Sequence, residues 1–273
     1  MDLQYFTDLW REGKPAEVSG KSFWDNRAAE FNKLVRQGTP DERIRKIVEF
    51  LSQNSLLAKK SSVLDIGCGP GRFAVEFAKL ATDVTGIDIS DKMLDYAVKN
   101  AEAANLTNVS FKNLNWDEID LNEYGWKKRF DLVTAINSPG IHGLITLEKM
   151  IEASKGYCFL SNFVNRSDSV QDIIRTEILK LNERKFYINT VYCIFNILWL
   201  TGYYPCITYV DTNREHVRTV EEACIYYGTL FATEDNSNDE KNLLISRYLN
   251  EISSNGLVTE HVQTKTAWIY WKV

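Results

Sequence analysis

The segment Val63-Leu64-Asp65-Ile66-Gly67-Cys68-Gly69-Pro70-Gly71-Arg72-Phe73 sets three glycines at alternate positions between a strand-like apolar run and the start of a helix. Glycines permit a sharp turn and let a ligand approach the backbone without meeting a Cβ atom. The helix that begins there offers N–H groups with no intrahelical partner, which suit a carboxylate or a phosphate. Asp88 closes the next strand, Val84-Thr85-Gly86-Ile87-Asp88, where an acid can hydrogen-bond both ribose hydroxyls of an adenosine. A glycine turn alone is weak, but strand, turn, helix, strand and acid in this order point together to an adenosine-bearing cofactor. NAD is one such ligand, yet its fingerprint spaces the glycines G-x-G-x-x-G. Here the spacing is G-x-G-x-G, with Asp65 two residues before the first glycine.

These residues need a sheet and covering helices to hold them. From Ser62 onward short apolar runs alternate with longer amphipathic ones, the pattern of a mostly parallel sheet. Strands are expected at Ser62 to Ile66, Asp83 to Asp88, Val109 to Asn113, Phe130 to Ile136 and Tyr157 to Asn162. Helices are expected at Arg72 to Leu80, Lys92 to Ala104 and Leu147 to Ser154, with a short fourth crossover near Asp117 to Tyr124. Right-handed crossovers make this a doubly wound sheet whose crevice lies at the carboxyl ends of the strands. Two amphipathic stretches precede it, Ser22 to Val35 and Asp41 to Leu51, separated by Gln37-Gly38-Thr39-Pro40. Beyond the fifth strand, Ser169 to Leu181 and Phe186 to Trp199 read as helices and Cys206 to Val210 as a strand. Thr219 to Phe231 and Lys241 to Ser253 are again helical. His261 to Val273 alternates and is expected to close the sheet as an antiparallel edge, giving a late hairpin interrupted by helices. The polar run Thr233 to Lys241 reads as a solvated loop.

Composition narrows the function. With 273 residues, 44% hydrophobic and 25% charged, the chain can bury a full core and is not a disordered sequence. A formal net charge of −5 provides no general attraction to phosphate backbones, so no nucleic-acid partner is expected. The five cysteines, Cys68, Cys158, Cys193, Cys206 and Cys224, lack C-x-x-C pairing or ligand-like spacing, so they read as reduced thiols and no metal is expected. Met1 to Trp10 lacks the pattern of a secretion signal. Val191 to Tyr204 is too short to span a bilayer and reads as a buried or interface helix. A cytoplasmic protein without a membrane partner is the expectation.

In the order of an acid, G-x-G-x-G and a second acid at the end of the next strand, the sequence resembles the class I methyltransferases that use S-adenosylmethionine (SAM), in particular the small-molecule type. The resemblance covers the element order from about Ser62 to the C-terminus, with specific motifs up to about His142. It implies an α/β fold: a Rossmann-like, doubly wound, seven-stranded, mostly parallel sheet with an antiparallel last strand, an N-terminal helical lid and a helical insertion after the fifth strand. Residues 1-273 would form one domain, made of the lid (1-40), a SAM-binding core (41-165), the insertion (166-204) and C-terminal elements completing the sheet (205-273). It further implies that Asp65 helps fix the amino group of the methionine moiety, that Gly67, Cys68 and Gly69 line it, and that Asp88 binds ribose, with Ile89 and Met93 near the adenine. Asn115-Trp116 stands where the family often has an acid that accepts from the adenine amino group. Asn115 departs from that acid, but its side-chain carbonyl can accept the same bond; a simple turn residue is the other reading.

The fourth strand delivers Asn137-Ser138-Pro139-Gly140 to the crevice floor, where methyl transfer would occur. The run lacks the second proline and the aromatic of the motif in nucleic-acid amino methyltransferases, so that specificity is not carried over. Transfer from a sulfonium is an in-line displacement that needs mainly alignment and exclusion of water, with a base only for a protonated nucleophile. His142 is the best-placed candidate for that base, against a plain loop role. In the lid, Trp24 can cover the sulfonium or a substrate ring and Arg27 can pair with the methionine carboxylate; alternatively both belong to packing and surface. The aromatics Phe186, Tyr187, Tyr192, Phe195, Trp199, Tyr203 and Tyr204 suit a core or a homo-oligomer contact through 186-204, or else an apolar substrate. His216 and Arg218, near the end of the sixth strand, either face the cleft or are solvated. The expected activity is methyl transfer from SAM to a small molecule. The alternatives are an RNA or protein methyltransferase and a SAM-binding regulatory protein without transfer.

Overall fold

The computed structural model describes residues 1–12, 20–33, 42–182, 188–232 and 238–273. Val35, Gln37 to Pro40, Asp41, Phe186, Tyr187 and the stretch 233–237 of the expected polar loop lie outside the described residues. The chain divides into two units. Unit 1 comprises Met1–Asn162, Asn189–Thr208 and Ala267–Val273; unit 2 comprises Phe163–Ile188 and Tyr209–Thr266.

Unit 1 is organised by strand β1 (Ser62–Ile66), which is buried at every position. It pairs in parallel with β2 (Asp83–Asp88) on one side and β4 (Phe130–Ile136) on the other, and β2 pairs in parallel with β3 (Val109–Asn113). A strand flanked and covered on both faces has no polar side, which is why Ser62-Val-Leu-Asp-Ile66 reads as an almost unbroken apolar run. The helices that cover these strands follow from their stripes. In α3 (Glu42–Gln53) Ile44, Ile47 and Leu51 are buried, and in α5 (Asp91–Ala103) Met93, Leu94, Ala97 and Ala101, the spacing of a single apolar face. Helix α4 (Arg72–Ala78) links β1 to β2, and α6 (Leu144–Ala153) links β4 to β5 (Ser154–Asp168). Helices α1 (Leu3–Glu12) and α2 (Lys21–Lys33) precede these elements. Between β3 and β4 the described structure is turns; the short helix expected near Asp117 to Tyr124 does not form. Helix α8 (Ile188–Leu200) buries Val191, Ile194, Ile197 and Leu198 and exposes Tyr192, Trp199 and Leu200.

Unit 2 contains α7 (Gln171–Ile173), which continues as a π-helical turn over Ile174–Ile178 rather than the single helix expected to Leu181. It also holds α9 (Val220–Leu230) and α10 (Asn238–Ile252), whose core joins Ala223, Tyr227, Ile245 and Leu249 to Val170, Ile174 and Val258. Strand β6 (Cys206–Thr219) is much longer than the sequence suggested, as is β5, while β7 (Leu257–Lys272) starts four residues earlier than expected. The side chains of Thr212 and Thr264, Lys265 and Asp211, and Arg218 and Glu260 meet across β6 and β7, so these strands run antiparallel. Strand order is β3-β2-β1-β4-β5-β7-β6. The last strand is therefore antiparallel as expected but not an edge: it lies between β5 and β6, and β6 forms the margin.

Candidate functional site

The candidate side chains of unit 1 gather where β1, β2 and β4 end. At the close of β1 the backbone reverses with Gly67 at φ 70° and Gly69 at φ 54°, a region that side chains with a Cβ rarely enter. The amides of Gly67 and Cys68 both donate to the Ile87 carbonyl, at 2.8 and 2.9 Å. A Cβ on Gly67 would lie 2.1 Å from Ser138 Oγ. The turn after β1 and the loop after β4 are thus interlocked. Cys68 is buried, and burial holds its thiol well above the ordinary range, so it is a neutral packing group.

Asp88 ends β2 with both carboxylate oxygens engaged by amides. Gly69 N–H donates to Oδ2 and Ser90 N–H to Oδ1, each at 2.9 Å. Each oxygen retains a further lone pair, so a pair of vicinal hydroxyls can still donate to it. Burial raises the Asp88 pKa and the two amides oppose that rise. Ser90, which the sequence reading did not single out, caps α5 by accepting from Met93 N–H at 3.1 Å and donates to Asp25 Oδ1 of α2 at 2.6 Å. A serine ahead of Asp-Lys-Met-Leu is an N-cap signal that would have found it.

Asp65 is 1% exposed and accepts from Thr134 Oγ1 at 2.8 Å. Burial pushes its pKa up to about 7, partly opposed by the Thr134 hydroxyl and helped by the charge of Asp88. The folded chain holds this proton more tightly than the unfolded chain, whose carboxyl titrates near 3.8. The resulting stability is complete below that value and is lost as the pH rises through about 7. The melting temperature of the unliganded chain is therefore expected to fall between about pH 5 and about pH 8, with Asp65→Asn removing most of that slope; differential scanning calorimetry across pH checks it.

Helix α2 lies against α5. Lys21 pairs with Asp91, Asp25 receives Ser90, and Asn100 donates to Asn32 Oδ1 at 3.0 Å and to the Pro70 carbonyl of the glycine turn at 2.9 Å. Trp24 stacks edge-on against Phe23 and Phe31, and its buried indole N–H has no acceptor. Arg27 sits over the rings of Phe23 and Phe31, at 5.4 and 5.0 Å, and pairs with Glu30 of the same helix at 3.4 Å. Its guanidinium is occupied within α2.

A cleft of about 510 Å³ opens beyond the ends of β2 and β3, lined by Ile89, Asn113, Asn115, Glu118, Tyr124 and Lys21. Asn115 Oδ1 accepts from Asp117 N–H at 3.2 Å and Nδ2 donates to Glu118 at 2.9 Å, so the residue also shapes its own turn. Trp116 is buried, its indole nitrogen donating to the Thr146 carbonyl at 3.1 Å; it anchors the loop from beneath. Met93 is buried against the turn, its Sδ 3.9 Å from where a Gly69 Cβ would stand.

After β4, Asn137 adopts φ 50°. Its amide donates to the Ser161 carbonyl at 3.0 Å and accepts from Arg43 Nη1 of α3 at 2.7 Å. Its side chain is thus committed to holding the loop, and Arg43, for which no motif gave a signal, holds it in turn. His142 Nε2 lies 2.8 Å from Asp117 Oδ1 and is about one-third exposed. Among the described residues no group of three or more His, Cys, Asp or Glu could hold a metal ion, and no helix is long and apolar enough to cross a membrane.

Comparison with known proteins shows the family and the fold. The profile of a methyltransferase domain matches residues 57–247. The chain is 31% identical over 163 residues to the ubiquinone biosynthesis O-methyltransferase of Pasteurella multocida, which spans 55% of this chain and 63% of that protein. It is 34% identical over 92 residues to the 23S rRNA (uracil(1939)-C(5))-methyltransferase RlmD of Aliivibrio fischeri, over 34% of this chain and 20% of that protein. In fold it is similar to coclaurine N-methyltransferase bound to N-methylheliamine and SAH, with a TM-score of 0.56 at 15% identity, covering 100% of this chain and 87% of that one.

Proposed function

This chain belongs to the methyltransferase domain family, and on that footing we propose that it moves the methyl group of SAM onto a small-molecule acceptor. The observation that carries the reading is Asp88, fixed by the Gly69 and Ser90 amides beside a turn whose glycines leave room for a ligand. SAM supplies a methyl group on a positively charged sulfonium, which an acceptor's lone pair displaces in line. The chain's part is to bind, orient and exclude water.

In this reading Asp88 receives the ribose hydroxyls, and Gly67, Cys68 and Gly69 line the methionine moiety through their backbone. Asp65, once ionised, faces the amino group, so binding expels its proton near neutral pH. Ile89, Met93 and Asn115 bound the adenine end, and Trp116 holds their loop in place. Helix α2 covers the site, with the Trp24 indole N–H as a donor awaiting an acceptor. Arg27 pairs with Glu30 of its own helix, and from there it can reach the methionine carboxylate. Asn137 sets the floor after β4.

The likeness to a ubiquinone biosynthesis enzyme over more than half of this chain supports a small acceptor. An RNA acceptor is the second reading, favoured by the RlmD match, but that match covers only 20% of RlmD and the net charge of −5 opposes a polyanion. A thermal-shift screen of candidate acceptors with SAM present, followed by assays for S-adenosylhomocysteine release, tests it. Turnover of RNA fragments but of no small molecule would sink the small-molecule reading.

His142 pairs with Asp117 at the rim of the site, and alignment alone suffices for a neutral or already ionised nucleophile. His142→Ala is therefore expected to leave kcat within about threefold of the parent. A loss of about a hundredfold or more, with a pH profile that loses its acid limb, would make it the base.

A further inference from the structure

Helix α8 of unit 1 has no charged face. From Ile188 to Val210 the sequence carries not one Asp, Glu, Lys, Arg or His, in a chain of which 25% is charged. One side of the helix buries Val191, Ile194, Ile197 and Leu198. Tyr192, Phe195, Trp199 and Leu200 follow each other at helical spacing on the other side, where Tyr192, Trp199 and Leu200 are about half exposed. An ordinary surface helix sets charged residues on that side; a helix that is apolar all round is one whose two faces are both covered. Its polar side chains also turn back on their own backbone. Asn196 Nδ2 donates to the Tyr192 carbonyl at 2.7 Å, and Thr201 Oγ1 of the following turn to the Ile197 carbonyl at 2.8 Å.

The segment after the helix extends the same surface. Gly202 turns the chain at φ 86°, and Tyr204, at φ 46°, lays its ring edge-on to Trp199 with centroids 5.2 Å apart. Trp199 in turn stacks on Phe195 at 6.0 Å. Three rings thus form one platform. Tyr204 is 65% exposed, so a left-handed conformation that a tyrosine rarely adopts is spent on presenting a ring to the outside. Helix α1 meets the other end of this face, where Phe6 lies edge-on to Tyr192 at 5.5 Å.

What covers the platform follows from its area and its charge. Tyr192, Trp199, Leu200 and Tyr204, each about half exposed, together offer on the order of 400 Å², half of the roughly 800 Å² that one partner contributes to a standard interface. Aromatic side chains are enriched and charges depleted at the centre of such interfaces. A two-fold contact brings residues close to their own copies, so a charge at its centre would repel itself; a charge-free face meets that condition. The same lack of cations, on a chain of net charge −5, gives anionic lipid headgroups nothing to hold.

We propose that the platform of Phe195, Trp199 and Tyr204, with Tyr192 and Leu200 beside it, is the interface of a homodimer in which α8 packs against α8 of a second copy across a two-fold axis. The inference stands apart from methyl transfer, since none of these residues belongs to the cofactor site.

Sedimentation equilibrium of the full chain between about 0.5 and 50 μM tests it. The expected result is a species of twice the chain mass, with a dimer Kd of about 10 μM or below. Trp199→Glu sets two like charges across the axis and should weaken the dimer about a hundredfold or more, while Trp199→Phe keeps it. Because Trp199 is half exposed, the glutamate variant should retain the parent melting temperature; if it does not, Tyr204→Glu, at the more exposed ring, replaces it with the same expected loss. A parent chain that stays monomeric at 50 μM would overturn the proposal, whether it is free or co-sediments with phosphatidylcholine vesicles. A dimer that a folded glutamate variant leaves intact would overturn it as well, by placing the contact elsewhere.

Discussion

Gly67→Ala is expected to abolish cofactor binding and to destabilise unit 1. The new Cβ would sit 2.1 Å from Ser138 Oγ and 2.9 Å from Ser138 Cβ. Rotating the hydroxyl relieves the first contact but not the second, so the loop after β4 has to move. The residue also stands at φ 70°, which costs an alanine about 1 to 2 kcal/mol on its own. Together with overpacking, a loss of about 3 kcal/mol follows, or a drop in Tm of about 6 to 12 °C for a chain of this size. Binding suffers more than stability because the amides of Gly67 and Cys68 share the Ile87 carbonyl, and their displacement moves the backbone that faces the ligand. The double variant Gly67→Ala with Ser138→Gly removes the collision and keeps the strained φ. It should recover part of the lost Tm, and a double variant no better than Gly67→Ala would show that the interlock with Ser138 is unimportant.

Asp88→Ala should weaken SAM by about 3 kcal/mol, or roughly 150-fold, because two charge-assisted hydrogen bonds to the ribose are lost together. Part of that loss is local, since the Gly69 and Ser90 amides also lose their acceptor. Asp88→Asn separates the two effects: its one carbonyl oxygen keeps one amide or one hydroxyl, and its affinity should fall between parent and alanine. Calorimetry on all three, with the Tm of each unliganded chain as control, reads this directly. An Asp88→Ala affinity within about threefold of the parent would remove the ribose from Asp88.

The part of the fold that carries this site was legible because its physics is local. Buried parallel strands read as apolar runs, as in β1, β2 and β4, while the outer strand β3 alternates; all four run over Ser62–Ile66, Asp83–Asp88, Val109–Asn113 and Phe130–Ile136, the spans expected from the sequence. Strand β6 escaped that reading beyond Val210, since Asp211-Thr-Asn-Arg-Glu-His216 is polar on both faces and gains its strand state by pairing with β7. The position of β7 inside the sheet likewise depends on long-range pairing, which alternation along one strand cannot reveal. At the site, Asp65, Gly67 and Asp88 were visible from motif spacing, and Met93 from the family resemblance. Arg43 and Thr134 were not: each meets its partner across a large sequence separation, and a lone arginine or threonine carries no periodic signal. The partners of Arg27, namely Glu30, Phe23 and Phe31, lie one turn away on its own helix.

The central claim is that the turn after β1, with Asp88, holds SAM. The most direct measurement is isothermal titration of the full chain with SAM, S-adenosylhomocysteine and NADH in parallel. Saturable one-to-one binding of SAM and S-adenosylhomocysteine, with Kd in the range of about 1 to 100 μM, and no heat from NADH, is the predicted result. Binding of NADH with no response to either sulfur nucleoside would contradict it.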